Sequence, residues 1–286
     1  TIIVSPAYYV FESIDENSVM PDYLMMWFSR RETDRWVGFI SGGDVRGGIS
    51  WEMFCDMRIP IPSYEEQLEI VKEYNTIVNR ISINDRVNQT LEEIQQALYK
   101  NWFVDFEFPN KKGDPYKSRG GQMVYCEELG LEIPKDWKPG NISKLAKIED
   151  GDRGNNYPSQ EEYQSDGYCL FLGAGNLSNN GFQFDECNFI SKEKDELLGN
   201  GKLRRNDIVF TTRGSKIGKM GYYSSEIEYE NIRINSGMLI FRCPKESLSL
   251  YLFTFLKSKL MQSEINNYLS GSAQPQLPIR DIIKIP

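Results

Sequence analysis

The sequence predicts an α+β protein: a mixed, β-rich domain with helices, joined to a long coiled-coil-like helix. Three observations predict it. The runs GYCLFLGAG, GFQFDECNFI, DIVFTTR, KMGYYSS and SGMLIFRC are rich in β-branched and aromatic residues and are separated by Gly and Asn turns, as short strands are. No Gly or Pro interrupts the chain between Ser63 and Phe108, so one helix can run through that whole stretch. The chain has 286 residues with 40% hydrophobic and 13% aromatic content, enough for more than one folded unit with its own core.

Taken in order, residues 20–62 begin with MPDYLMMWFSRRETDRWV, where Leu24, Trp27, Phe28 and Trp36 fall on one helical face after the helix-starting Pro21. The run closes on SGGDVRGGISWEMFCDMRIPIP. A similar plan recurs roughly 226 to 229 residues later, in SLSLYLFTFLKSKLMQSEINNYL followed by SGSAQPQLPIRDIIKIP, and a period of that length means duplicated domains. The long helix is expected over 63–106. Ser63 and Glu66 form a capping box, and Pro60 and Pro62 prevent an earlier start. Its length is about 42 residues, or about 60 Å. Two heptad rows run along it: Ile70, Ile77, Asn84, Leu91 and Leu98, and Tyr74, Ile81, Asn88, Gln95 and Trp102. That stripe calls for a partner helix, with Asn84 and Asn88 fixing register at some cost in stability; a long surface helix lying on its own domain is the alternative. Residues 107–135 read as a polar, turn-rich linker, and a second domain is expected over 136–286.

The net charge of -8 argues against a protein that coats nucleic acid nonspecifically. The acid is concentrated in residues 1–105, whereas Lys202–Lys219 is locally basic. There is no His, which removes His-dependent catalytic triads and His-based zinc sites, and no resident metal or cofactor is expected. The five cysteines are widely spaced, without a C-x-x-C pair, as in a reduced, cytoplasmic protein. No targeting segment or membrane span is apparent. Opening on Thr1 and stopping at Pro286, the chain reads as a piece of a longer protein, cut at a domain-to-helix junction.

The elements IEDGDRGNNYP, FLGAGNL, RRNDIVFTTRGSKIGKMG, INSGMLIFR, GSAQPQLP and IPIPSYEEQLEIV, in their order along the chain, resemble those of the specificity subunit of a Type I restriction-modification system. The resemblance implies two target-recognition domains alternating with two long helices. The helices pair antiparallel and dock methyltransferase subunits, and each domain reads one half of a split site in double-stranded DNA. On this reading residues 1–62 are the C-terminal part of a first recognition domain, 63–106 the first spacer helix and 136–286 the second domain. The expected partners are the modification subunits, the restriction subunit through the complex, and a second copy or fragment supplying the missing helix. S-adenosylmethionine, ATP and magnesium are expected on partner subunits only, in a prokaryotic cytoplasm.

The chain's own residues fit that role as a noncatalytic reader. R-G-S-K-x-G-K ends a strand in a Gly-containing turn, where Arg213, Ser215, Lys216 and Lys219 can approach phosphate or base; a hairpin turn with solvated lysines is the alternative. D-G-D-R-G-N-N-Y-P offers Arg153, Asn155, Asn156 and Tyr157, or equally a structural turn capped by Asp150 and Asp152. Gln274, Gln276 and Arg46 are further candidates for base edges. Ile70, Tyr74, Ile77, Ile81, Asn84, Asn88, Leu91, Leu98 and Trp102 are the candidates for helix pairing or partner docking. FLGAGNL lacks a dinucleotide-binding spacing and reads as a strand and turn. The acidic balance and apolar helix face also fit a dimerisation or assembly scaffold without sequence-specific DNA binding.

Overall fold

Pro21 opens the first of three short helices, α1 (Pro21–Phe28), α2 (Arg31–Ile40) and α3 (Trp51–Cys55), that precede the long helix α4 (Tyr64–Tyr99). The computed structural model describes residues 5, 10, 12–15, 17–41, 48–214, 217–269 and 276–282. The chain forms two compact units, 1–92 and 93–286.

In the first unit the start of α4 is fixed by polar groups. Glu66 accepts from the Ser63 amide at 3.0 Å and hydroxyl at 2.9 Å, and these bonds, the amide first, lower its pKa. Gln67 is fully buried; it accepts from the Met20 amide and donates to the carbonyls of Ser18 and Pro62, all at 2.9 Å. Tyr23, also buried, donates to the Pro60 carbonyl at 2.8 Å. Burying an amide and a phenol here costs little because each polar atom finds a partner.

The α-helical part of α4 covers 36 residues, about 54 Å at about 1.5 Å per residue. It passes into one π turn, Lys100–Val104, closed by the Asp105 amide on the Lys100 carbonyl at 2.8 Å. Phe106 then takes φ 59°, a left-handed conformation unusual for an aromatic residue. Burial holds it there, edge-on to Trp137 at 5.5 Å. The residues expected to form a polar linker instead carry an antiparallel hairpin, β1 (Met123–Cys126) with β2 (Leu131–Pro134). An aromatic series ties this region down: Tyr116 stacks on Phe108 at 4.7 Å, Phe108 on Trp137 at 5.2 Å, and Phe103 meets Tyr251 edge-on at 4.9 Å.

The remaining elements are α5 (Ile142–Leu145), β3 (Lys147–Asp150), β4 (Cys169–Leu172), β5 (Leu177–Ser178), β6 (Gly181–Phe182), β7 (Asn188–Ile190), α6 (Lys192–Leu197), β8 (Ile208–Thr211), β9 (Met220–Tyr222), β10 (Ile232–Ile234), β11 (Met238–Arg242), α7 (Glu246–Leu256), α8 (Lys259–Leu269) and α9 (Ile279–Ile282). A four-stranded sheet, β3-β11-β8-β9, is antiparallel throughout; a second, β10-β4-β7, is mixed. Strand alternation sorts the core into layers. Ile208, Phe210, Leu239 and Phe241 face Leu252, Leu256, Met261 and Ile265 of α7 and α8, whereas Val209, Met238 and Ile240 face Leu170, Leu172, Ile232 and Ile234 of the second sheet.

Two ion networks cross this interior. Arg233 donates to Asp195 at 2.5 Å and to the carbonyls of Asp195, Leu198 and Asn200 at 2.7, 2.9 and 2.7 Å. Arg242 bridges Asp207 and Glu149, at 2.7 and 3.0 Å. Buried charge is tolerated here because every partner is present. Burial opposes ionisation of Asp195, but Lys202 and Arg233 together hold its carboxyl below the ordinary value.

Candidate nucleic-acid interface

In the four-stranded sheet, Asp150 of β3 lies opposite Leu239, and Met238 of β11 lies opposite Thr211 of β8. The loops that follow β3 and β8 and the turn that precedes β11 therefore emerge at one end of the sheet. A segment just before α9 joins them: Arg213 and Gln276 form an antiparallel bridge, and the Leu277 amide donates to the Thr212 carbonyl at 3.0 Å. Asp150, Arg153, Thr212, Arg213 and Gln276 line a recess of about 160 Å³ floored by Leu239, Leu277, Pro278 and Ile279.

Each side of the recess has a rigid support. Thr212 is buried, and both its amide and its hydroxyl donate to the Gly237 carbonyl, at 2.9 and 3.0 Å. Leu277 and Ile282 are buried in the helix-facing core. Gly214 at φ 77° and Gly218 at φ 84° take the left-handed turns that L side chains resist. On the opposite wall, a Cβ on Gly151 would stand 2.0 Å from the Asn235 carbonyl oxygen, so the β3 loop and the β11 turn meet only because that residue is glycine.

Arg153 donates to Asp150 and to the Ser236 carbonyl, both at 3.3 Å. Asp152 fixes the same loop by accepting from the amides of Gly154 and Gly199 at 2.7 Å and of Asn200 at 3.3 Å. The Gly154 bond leads the interactions that lower its pKa. The structural turn and the candidate contact thus coexist in one loop.

Three residues singled out from sequence, Arg153, Arg213 and Gln276, converge here. Others do not. Asn156 donates to the Leu197 carbonyl at 3.2 Å, and Tyr157 packs edge-on to Phe171 at 5.6 Å, so both serve internal contacts. Asn155 is exposed on the loop. Lys219 is half-buried and hydrogen-bonds Asn179 in the β5–β6 turn. Arg46, Ser215, Lys216 and Gln274 lie outside the described residues. Sequence reading missed Asp150 and Thr212 as parts of the recess; the i,i+3 placement of Asp150 and Arg153 was the available signal for the ion pair.

Along α4, Ile70, Tyr74, Ile77, Ile81, Leu91 and Leu98 are exposed, as are Asn84 and Asn88, while Trp102 is half-buried. The helix's own contacts come from residues beside that stripe and, toward its C-terminal end, from Gln95 within it. Val71 and Tyr99 are buried, and Gln95 and Gln96 donate to the Thr254 hydroxyl and carbonyl at 2.8 and 3.3 Å.

Among the described residues no group of three or more His, Cys, Asp or Glu is placed to hold a metal ion, and no helix is long and apolar enough to cross a membrane. All five cysteines are free thiols, and burial pushes Cys169 up to about 12. FLGAGNL forms β4 and a turn in which Asn176 accepts from the Gly173 amide at 2.9 Å and donates to the Glu186 carbonyl at 2.8 Å.

The family model of the Type I restriction modification DNA specificity domain matches residues 134–286, more than half of the chain, and the chain belongs to that family. The Type I restriction enzyme MjaIX specificity subunit of Methanocaldococcus jannaschii is 26% identical over 273 residues, 94% of this chain and 58% of that protein. The Type I restriction enzyme HindI specificity subunit of Haemophilus influenzae is 33% identical over 151 residues, 51% of this chain and 32% of its own length. This chain thus spans between about a third and three fifths of these two relatives. Among solved structures, the S subunit of a Type I restriction-modification system from M. genitalium aligns with a TM-score of 0.47 at 11% identity, over 95% of this chain and 62% of that one.

Proposed function

We propose that this chain is a noncatalytic DNA sequence-recognition subunit of a Type I restriction-modification complex, with residues 136–286 reading one half of a bipartite site. The observation that carries the reading is the recess where Arg153, Arg213 and Gln276 converge on a rigid sheet end. Guanidinium and carboxamide groups are the side chains best matched to guanine and adenine edges, and backbone anchoring leaves little conformational freedom to lose on binding.

The exposed stripe of α4 supports a docking role for methyltransferase subunits and, through them, a restriction subunit. S-adenosylmethionine, ATP and magnesium belong on those partners, in the prokaryotic cytoplasm. The domain assignment rests on the recurrence of short elements: α1, α2 and α3 begin at Pro21, Arg31 and Trp51, and α7, α8 and α9 at Glu246, Lys259 and Ile279. Residues 1–62 are accordingly the end of a first recognition domain. The same exposed stripe favours the second reading, an assembly scaffold without sequence-specific binding.

Competition binding separates the two. A complex assembled with its modification subunits, at moderate salt, should prefer one duplex sequence over its scrambled version by about 10³-fold or more. Equal competition by both duplexes would leave the scaffold reading standing and end the other.

A further inference from the structure

We propose that Arg213 and Gln276 act as one reading pair that specifies a guanine next to an adenine, and that Arg153 is a positioning residue beside them. This rests on the DNA-reading role proposed above and divides the recess into two kinds of work.

The pair is made by the backbone. Arg213 and Gln276 face each other across an antiparallel bridge, and residues directly opposite in such a pair share a face with Cβ atoms about 5 Å apart. Base pairs stack at about 3.4 Å, so the two side chains suit neighbouring base pairs and not distant ones. Both residues are exposed, and the Arg213 side chain makes no hydrogen bond or ion pair with another described residue. The chemistry of each is distinct. A guanidinium presents two parallel donors to guanine O6 and N7; a carboxamide presents one donor and one acceptor, matching adenine N7 and N6.

Arg153 differs from Arg213 in commitment. It already spans from Asp150, at 3.3 Å, to the Ser236 carbonyl, at 3.3 Å, and so ties the β3 loop to the β11 turn. Its charge also offsets a carboxylate that would otherwise face the DNA phosphates from the wall of the recess. Losing Arg153 therefore exposes Asp150 to every duplex alike, whereas losing Arg213 or Gln276 removes a contact to one base.

The test is selection from a randomised duplex library by the full-length subunit in complex with its modification subunits. Wild type should enrich a motif containing a guanine–adenine step. Arg213→Ala should lose preference at the guanine alone and Gln276→Ala at the adjacent adenine alone, each by about 10- to 100-fold; Arg213→Lys and Gln276→Asn provide conservative versions at the same exposed positions. Arg153→Ala should keep the whole motif and bind all sequences more weakly, and adding Asp150→Asn should restore part of that loss. A wild-type motif unchanged in all four Arg213 and Gln276 variants would overturn the pair while leaving DNA reading intact. Enrichment of no motif by wild type would overturn both.

Discussion

Gly151 is the residue on which the recess most plainly depends, since its missing side chain lets the end of β3 lie against the Asn235 backbone. Gly151→Ala should force the two loops apart. It should destabilise the 93–286 unit by about 1–3 kcal/mol and weaken DNA binding more than a surface substitution of equal stability cost, as comparison of thermal melts with binding curves would reveal. Asp152 works at the same scale. It accepts from the backbone amides of Gly154, Gly199 and Asn200, and Asp152→Ala should cost about 1–3 kcal/mol, read as a lower denaturant midpoint with an unchanged slope.

At the scale of elements, α4 separates what holds the chain together from what it offers to others. Its internal contacts come from Gln67, Val71, Gln95 and Tyr99, while the heptad stripe from Ile70 to Leu91 remains exposed. Ile81→Asp is expected to leave the melting of the isolated chain within about 0.5 kcal/mol of wild type, as exposed substitutions do, and to abolish assembly with modification subunits; size-exclusion chromatography of the mixed proteins checks it. The helix and its capping box were legible because periodicity and the Ser63–Glu66 pair are local signals. So were β4, β8, β9 and β11, whose residues alternate between two buried layers. β10 was not, because Ile232, Arg233 and Ile234 are all buried and the arginine breaks the apolar pattern; its ion pair with Asp195 and its bonds to the Asp195, Leu198 and Asn200 carbonyls, all distant in sequence, make that burial tolerable. The β1–β2 hairpin escaped for a similar reason: its stabilising aromatics, Phe108, Tyr116 and Trp137, lie outside the strands themselves. In the recess, the individual residues were legible and their convergence was not, since Arg153, Arg213 and Gln276 meet through strand register.

At the scale of the molecule, the 93–286 unit is held by apolar layers and by carboxylates whose charged forms have partners. Asp195, Asp152 and Glu149 all have lowered pKa values. For Glu149, burial acts against the shift and is outweighed chiefly by the Gly201 amide and Arg242. A carboxylate depressed in the folded state contributes stability that is fully present above its unfolded value, near pH 4, and is lost as pH falls through the lower folded values. The unit should therefore keep its stability from neutrality down to about pH 4.5 and unfold progressively below about pH 4, with Asp195→Asn melting at lower temperature at pH 7 and showing a shallower acid transition.

On the proposed reading, the recess at the end of the four-stranded sheet faces the bases of one half-site. Placing a photo-cross-linking amino acid at Gln276 in the assembled complex, and mapping its adducts on a duplex containing the recognition site, checks this contact. Adducts are expected on bases within a single half-site and should disappear when that half-site is scrambled. Adducts to partner protein alone, or to DNA without regard to sequence, would contradict it.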